Sequence, residues 1–198
     1  IRGSGVALDR YTVMPEPSGK PVVMLISRLL IDKGVGEFVA ASKLLQSERN
    51  DIRMVLVGDI DPGNPNTITC EQLTSWVDQG IVEYWGYCND VPEVISKSNL
   101  IVLPSYREGL PKCLIEAAAC GRAVITTDVP GCRDAIEPGK TGLLVPPKTD
   151  RALAEAIARL VDDKLLRHNF ARRSRFFAEE EFDIKDVIKV HLSLYSND

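Results

Sequence analysis

Two turns in this 198-residue chain carry groups suited to holding an anion. The first is Pro104-Ser105-Tyr106-Arg107-Glu108-Gly109-Leu110-Pro111, which leads into a helix. Pro111 suits the helix start because its fixed φ is already near the helical value. No Ser, Thr, Asp or Asn stands at the cap, so the first free N–H groups need another acceptor. Phosphate or water would serve, and this turn alone does not choose. Glu108 and Glu116 lie eight residues apart, which is roughly 12 Å along a helix. That span is too long for a close acid/base pair. It suits a grip on hydroxyls at two ends of one ligand, although spacing alone favours an ion pair between Glu116 and a base on a neighbouring helix. The second turn is Ser27-Arg28-Leu29-Leu30-Ile31-Asp32-Lys33-Gly34. Its Arg28 can hold phosphate oxygens in a fork and its Lys33 supplies a point charge. It is not a dinucleotide fingerprint: with Gly34 and Gly36 as the first two glycines, the third place holds Val39. Nor does it carry the Gly-Lys-Ser/Thr of a phosphate loop.

The elements that must position these turns alternate. Apolar runs at 22–27, 53–57, 81–84, 100–103, 123–126 and 142–145 read as six strands, most of them buried on both faces. Helical spacing covers 34–45, 67–78, 90–98 and 111–119, the last ended by Gly121. From Thr149 the chain reads as three helices, at 150–161, 164–179 and 184–195. Such alternation predicts an α/β fold, a Rossmann-like doubly wound parallel sheet of about six strands with C-terminal helices. Ligands of such sheets sit beyond the carboxyl ends of the strands, where both turns lie. The expected division is an entry segment at about 1–20, a core at 21–162 and C-terminal helices at 163–198.

Composition narrows the partners. The formal net charge of −4 argues against nucleic acid. Arg167, Arg172, Arg173 and Arg175 run against that average. They read as a solvated helix face, with contact to an anionic lipid headgroup or acceptor phosphate as the alternative. The five cysteines, at 70, 88, 113, 120 and 132, form no Cys-x-x-Cys pair. They suggest neither a disulfide framework nor a zinc site, and fit a reducing, cytoplasmic compartment. No run approaches the ~20 apolar residues of a spanning helix. The start at Ile1, without Met, is expected to be a cut from something longer.

Taken in order, Ser27-Arg28-Leu29 with Lys33-Gly34, Glu108-Gly109-Leu110-Pro111, Glu116, Ala119-Cys120-Gly121 with Ala123-Val124, Val129-Pro130-Gly131 and Gly139-Lys140-Thr141-Gly142-Leu143-Leu144-Val145 resemble glycosyltransferase family 4, from about Gly3 to Val161. The resemblance implies one lobe of a GT-B architecture, in which two Rossmann-like domains face across a cleft. This chain would be the C-terminal, donor-binding lobe, and its N-terminal partner lobe would be missing. Arg28 and Lys33 would then neutralise the donor diphosphate, and Glu108 would hold donor sugar hydroxyls. With Arg28 and Lys33, Glu108 makes up the implied catalytic set. The backbone at Gly109, Leu110 and Pro111, with Leu114 just inside the helix, would line the sugar and phosphate. Glu116 would take the ribose hydroxyls, and the backbone near Tyr87 and Cys88 would read the base.

Family members retain anomeric configuration and need no cofactor or metal. Asp59-Ile60-Asp61 matches an Asp-x-Asp metal signature of a different glycosyltransferase fold and is read as coincidence. The wording of the 105–111 and 128–133 segments resembles bacterial enzymes of polysaccharide, lipopolysaccharide and lipid-linked oligosaccharide assembly. It favours a UDP-sugar, a hexose or N-acetylhexosamine, and a saccharide or lipid-linked acceptor. It allows a peripheral contact with the cytoplasmic face of the inner membrane. The isolated chain is expected to bind donor and turn over little. The rival readings are a nucleotide-sugar 2-epimerase and a non-catalytic nucleotide-binding module. The last helix, with Ile184, Val187, Ile188, His191, Leu192 and Tyr195 on one stripe, is expected to pack on its own domain.

Overall fold

A computed structural model describes residues 5–195, with no side-chain description for Val190, His191 or 193–195. Ile1, where the cut from a longer protein is expected, and Gly3, where the family resemblance starts, lie outside these residues, as do the side chains of His191 and Tyr195. Six strands form one sheet: β1 (Val22–Ile26), β2 (Arg53–Val57), β3 (Glu83–Tyr84), β4 (Leu100–Leu103), β5 (Ala123–Thr127) and β6 (Gly142–Val145). Their spatial order is β3-β2-β1-β4-β5-β6, and every pairing is parallel. Helices α1 (Val35–Glu48), α2 (Cys70–Asp78), α3 (Val91–Ser96), α4 (Lys112–Ala119), α5 (Pro130–Asp134), α6 (Asp150–Asp162), α7 (Lys164–Glu181) and α8 (Ile184–Tyr195) complete the fold.

The strands are apolar throughout because each faces two layers. Val23, Leu25, Met54, Leu56, Leu100, Val102, Ala123 and Ile125 pack with α1 and α6 in one cluster. Their neighbours Val22, Met24, Val55, Val57, Ile101, Leu103 and Val124 pack with α4 and α7 in the other. A slip of one residue in any of these strands would exchange the two sets, so packing on both faces fixes the register.

Several boundaries depart from the sequence expectation. The third strand is two residues long, because only Glu83 and Tyr84 pair with β2 at the sheet edge. The helix expected from 67 starts at Cys70, where Thr69 accepts from the Gln72 N–H and Gln72 closes a capping box. A single turn of 3-10 helix at Ile31–Lys33 precedes α1. Helix α5 was missed altogether, as five residues are too few to show a helical period.

The arginine cluster is a correction. Arg167 is buried, with only 3% exposed, and its guanidinium binds Glu16 at 2.8 Å and the carbonyls of Leu160 and Val161. Arg175 donates to the carbonyls of Tyr11 and Ala119, and Arg173 bridges Glu137 and Glu180. Three of the four therefore clamp the entry segment and neighbouring elements, while Arg172 donates to Asn169 on its own helix. Helix α8 begins on the domain, where Ile184 donates to the Val6 carbonyl, but Ile188 and Leu192 on its expected packing stripe are exposed.

Candidate donor-binding site

Between β1 and β4 the strand order reverses, since β2 lies on one side of β1 and β4 on the other. Crevices at such a switch point are where open parallel sheets bind ligands. The two turns singled out by their chemistry are the loops leaving these strands, at 27–34 and 104–111.

The loops are sewn together by backbone and small side chains. The Asp32 carbonyl accepts from Ser105 Oγ at 3.0 Å and from the Tyr106 N–H at 2.8 Å. Gly34 sits at φ 75°, and a Cβ built on it would fall 2.2 Å from the Pro104 carbonyl oxygen. Only glycine permits both the left-handed backbone and that approach. Helix α5 supports the second loop from behind: a Cβ on Gly131 would meet the carbonyl oxygens of Gly109 at 2.0 Å and Glu108 at 2.4 Å. The Thr127 hydroxyl donates to the Ser105 carbonyl beside it.

This frame brings Lys33 and Glu108 together across the switch point. Lys33 Nζ lies 2.7 Å from Glu108 Oε1, and both side chains are mostly buried. Arg28 is on the rim, with 62% of its side chain exposed, and its Nη1 lies 3.0 Å from Asp61 Oδ2. Asp61 is held in turn by the Thr67 hydroxyl on its N–H, so it serves here as the arginine's counter-charge. Among the described residues, no group of three or more His, Cys, Asp or Glu could hold a metal ion.

Behind the loop, α4 begins after Pro111, its N-cap, with no side-chain cap. Glu116, one to two turns in, is only 5% exposed. Its Oε1 accepts from Tyr11 Oη at 2.5 Å and lies 3.8 Å from Lys112 Nζ. The expected pairing with a base on a neighbouring helix is therefore replaced by a tyrosine from the entry segment and a lysine of the same helix. Burial pushes the Glu116 carboxyl up; the Tyr11 hydrogen bond and the charges of Lys112 and Arg10 work against that rise. Burial also pushes the Cys113 thiol up, helped by the charges of Glu108 and Glu116.

The remaining expected residues are placed differently. Gly109 is open, with nothing near a hypothetical Cβ, and Leu110 flanks it, half-buried. Leu114 is fully buried in the core and its N–H donates to the Pro111 carbonyl, so it packs the helix and presents nothing to a ligand. Tyr87 is 67% exposed on the loop after β3, and the neighbouring Cys88 is half-buried against the core. The residues that sequence reasoning did not assign to the site are Tyr11 and Gly131. A lone aromatic near the start gives no spacing signal, and Gly131 stood out only as part of a motif.

The parallel α/β sheet thus carries Arg28, Lys33 and Glu108 on the loops at its switch point. The chain belongs to the family described as glycosyl transferases group 1, whose model matches residues 20–163. It is 37% identical over 176 residues to N,N'-diacetylbacillosaminyl-diphospho-undecaprenol alpha-1,3-N-acetylgalactosaminyltransferase of Campylobacter jejuni, covering 89% of this chain and 44% of that protein. It is 27% identical to the capsular polysaccharide biosynthesis glycosyltransferase CapM of Staphylococcus aureus, covering 88% and 46%. The chain thus spans about half the length of the curated relatives it matches. Among solved structures, sucrose-phosphate synthase from Thermosynechococcus elongatus superposes with TM-score 0.84 at 25% identity, over all of this chain and 53% of that one. Anabaena HepE, solved with UDP, superposes at TM-score 0.87 and 22% identity, over 98% and 56%. These likenesses match the sheet and helices, and the six-stranded Rossmann-like fold is that of GT-B glycosyltransferases.

Proposed function

We propose that this chain is the donor-binding C-terminal lobe of a retaining glycosyltransferase. It would carry a hexose or N-acetylhexosamine from a nucleoside-diphosphate sugar, a UDP-sugar by preference, to a saccharide or lipid-linked saccharide. The observation that carries the reading is the Lys33–Glu108 pair, a cation and a carboxylate held across the switch point on two interlocked loops. Paired with each other, the two groups are neutralised. A donor diphosphate draws Lys33 and the rim cation Arg28 to its oxygens and frees Glu108 to accept hydrogen bonds from sugar hydroxyls. The uncapped start of α4 adds N–H groups and a partial positive charge at the same place.

Chemistry then follows from charge placement. As the bond from the anomeric carbon to the diphosphate lengthens, negative charge grows on the leaving oxygen, and Arg28 and Lys33 are already positioned to stabilise it. Glu108 orients the sugar while its ring takes on oxocarbenium character. These side chains supply the positive charge with no cofactor required. In this reading Glu116 takes the ribose, and the loop at Tyr87 and Cys88 reads the base. The Campylobacter relative is named for transfer of N-acetylgalactosamine onto an undecaprenol-linked sugar, which supports an N-acetylated donor and a lipid-linked acceptor here. No helix among the described residues is long and apolar enough to cross a membrane.

A protein of Francisella tularensis, solved as the C-terminal domain of a group 1 glycosyl transferase, matches in fold along its whole length, with TM-score 0.79. That supports placing this chain as the second of two lobes, with the acceptor groups on the first. Calorimetric titration with UDP, GDP and ADP tests the reading. Saturable binding of UDP, weakened about tenfold or more in Lys33→Ala, together with negligible transfer by the isolated chain, is the expected outcome. A folded chain that binds none of the three would overturn it.

A further inference from the structure

The entry segment does more than lead into the domain. Residues 5–11 are fixed at both ends. The Val6 N–H donates to the Phe182 carbonyl at 2.8 Å and its carbonyl accepts from Ile184 at 3.1 Å. At the other end, Arg175 Nη1 donates to the Tyr11 carbonyl at 2.5 Å and to the Ala119 carbonyl, on the last residue of α4, at 2.6 Å. One guanidinium therefore ties the Tyr11 backbone to the helix that carries Glu116. The Tyr11 ring is buried in the same core cluster as the apolar residues of α4, so the hydroxyl has little freedom. It donates to Glu116 Oε1 at 2.5 Å, and both groups are inside the protein.

A ribose offers two adjacent hydroxyls as donors. A carboxylate can accept both only if its plane is held, and it has lone pairs for about four bonds in all. Glu116 stands on one helix turn with Lys112, which is exposed and 3.8 Å away, too far to fix that plane. Tyr11 is the group that can. We propose that Tyr11 is a positioning residue for ribose recognition: its hydroxyl holds the Glu116 carboxylate so that the remaining lone pairs face the ribose diol. Preference for ribonucleotide over 2′-deoxyribonucleotide then runs through Tyr11. This rests on the reading of Glu116 as the ribose ligand. It also makes the segment preceding β1 part of the donor site, although it is remote from the strand-end loops in sequence.

The test is calorimetric titration of the chain with UDP and with 2′-deoxy-UDP. The expected parent result is tighter binding of UDP, by about tenfold, the effect of one hydrogen bond to a charged group. In Tyr11→Phe, which keeps the buried ring, UDP should weaken by about threefold to tenfold while 2′-deoxy-UDP changes by less than about twofold. The ratio between the two ligands is the decisive number, because a general loosening of the domain would weaken both alike. Glu116→Gln should also compress the ratio, and adding Tyr11→Phe to it should compress it no further. An unchanged ratio in a folded Tyr11→Phe overturns the proposal and leaves Glu116 as the ribose ligand. Absence of any discrimination in the parent overturns the ribose role of Glu116, and this proposal with it.

Discussion

At the level of single residues, the candidate site is built on two ion pairs, Arg28–Asp61 and Lys33–Glu108. Arg28 and Asp61 meet on the rim, where an exposed pair contributes little net stability. Exchanging Asp61 for a diphosphate therefore costs little, but Asp61 still competes. Asp61→Asn should strengthen UDP binding by about twofold to threefold with no measurable change in melting temperature, read by titration and thermal scan of the same sample; weaker binding would make Asp61 part of the ligand shell. Lys33 behaves differently because it is mostly buried against Glu108. Lys33→Ala should weaken UDP binding by about tenfold or more, the usual effect of losing a charge-assisted contact. The types of Arg28, Lys33 and Glu108 and their places on strand-end turns were legible from spacing. Their partners were not: Asp61 is 33 positions from Arg28, and Glu108 is 75 from Lys33. Such pairings exist only once the sheet sets the loops side by side.

At the level of elements, the apolar runs and turn residues defined the sheet, since strands buried on both faces leave an unmistakable block of Val, Ile and Leu. What periodicity could not show were short pieces whose form depends on neighbours. The third strand is only Glu83 and Tyr84, paired with Val55 and Leu56 of β2 at the edge of the sheet. Helix α5 is five residues that hold a loop in place. Its Gly131 is required by closeness, with the Gly109 and Glu108 carbonyls where a side chain would be. Gly131→Ala must push the Glu108–Gly109 backbone outward. The expected result is a loss of about 1–3 kcal/mol in denaturant unfolding, typical of overpacking, and a drop in UDP affinity larger than that of Lys33→Ala. Normal UDP binding by a Gly131→Ala chain would show that the position of the Glu108 turn is not what sets affinity.

At the level of the whole molecule, the segment before β1 is bound to the body by buried charge. The arginines of α7 read in sequence as a solvated face because helical spacing records which residues share a side and not what lies opposite. Opposite Arg167 lies Glu16, which also accepts from Asn99 Nδ2 at 3.0 Å and has His168 Nε2 at 3.3 Å. Arg122, buried between these elements, donates to the Met14, Pro15 and Ser96 carbonyls. Burial by itself would raise the Glu16 carboxyl. The hydrogen bonds from Arg167 and Asn99 and the Arg167 charge outweigh it and bring the carboxyl down from 4.5 to about 2. A carboxyl lowered on folding stabilises the native state above its unfolded value, and that contribution is lost as pH falls toward the folded one. The displacement corresponds to roughly 3 kcal/mol at neutral pH. Glu16→Gln should therefore be clearly less stable than the parent at pH 7, since it leaves the Arg167 guanidinium buried opposite a neutral group. The difference should shrink as pH is lowered from about 4.5 toward 2, because the parent loses the same charge by protonation. Urea unfolding of both chains at pH 7, 5, 4 and 3 reads this directly. A gap that stays constant across that range would mean that the entry segment is held by packing, and that the buried pair adds no pH-dependent stability.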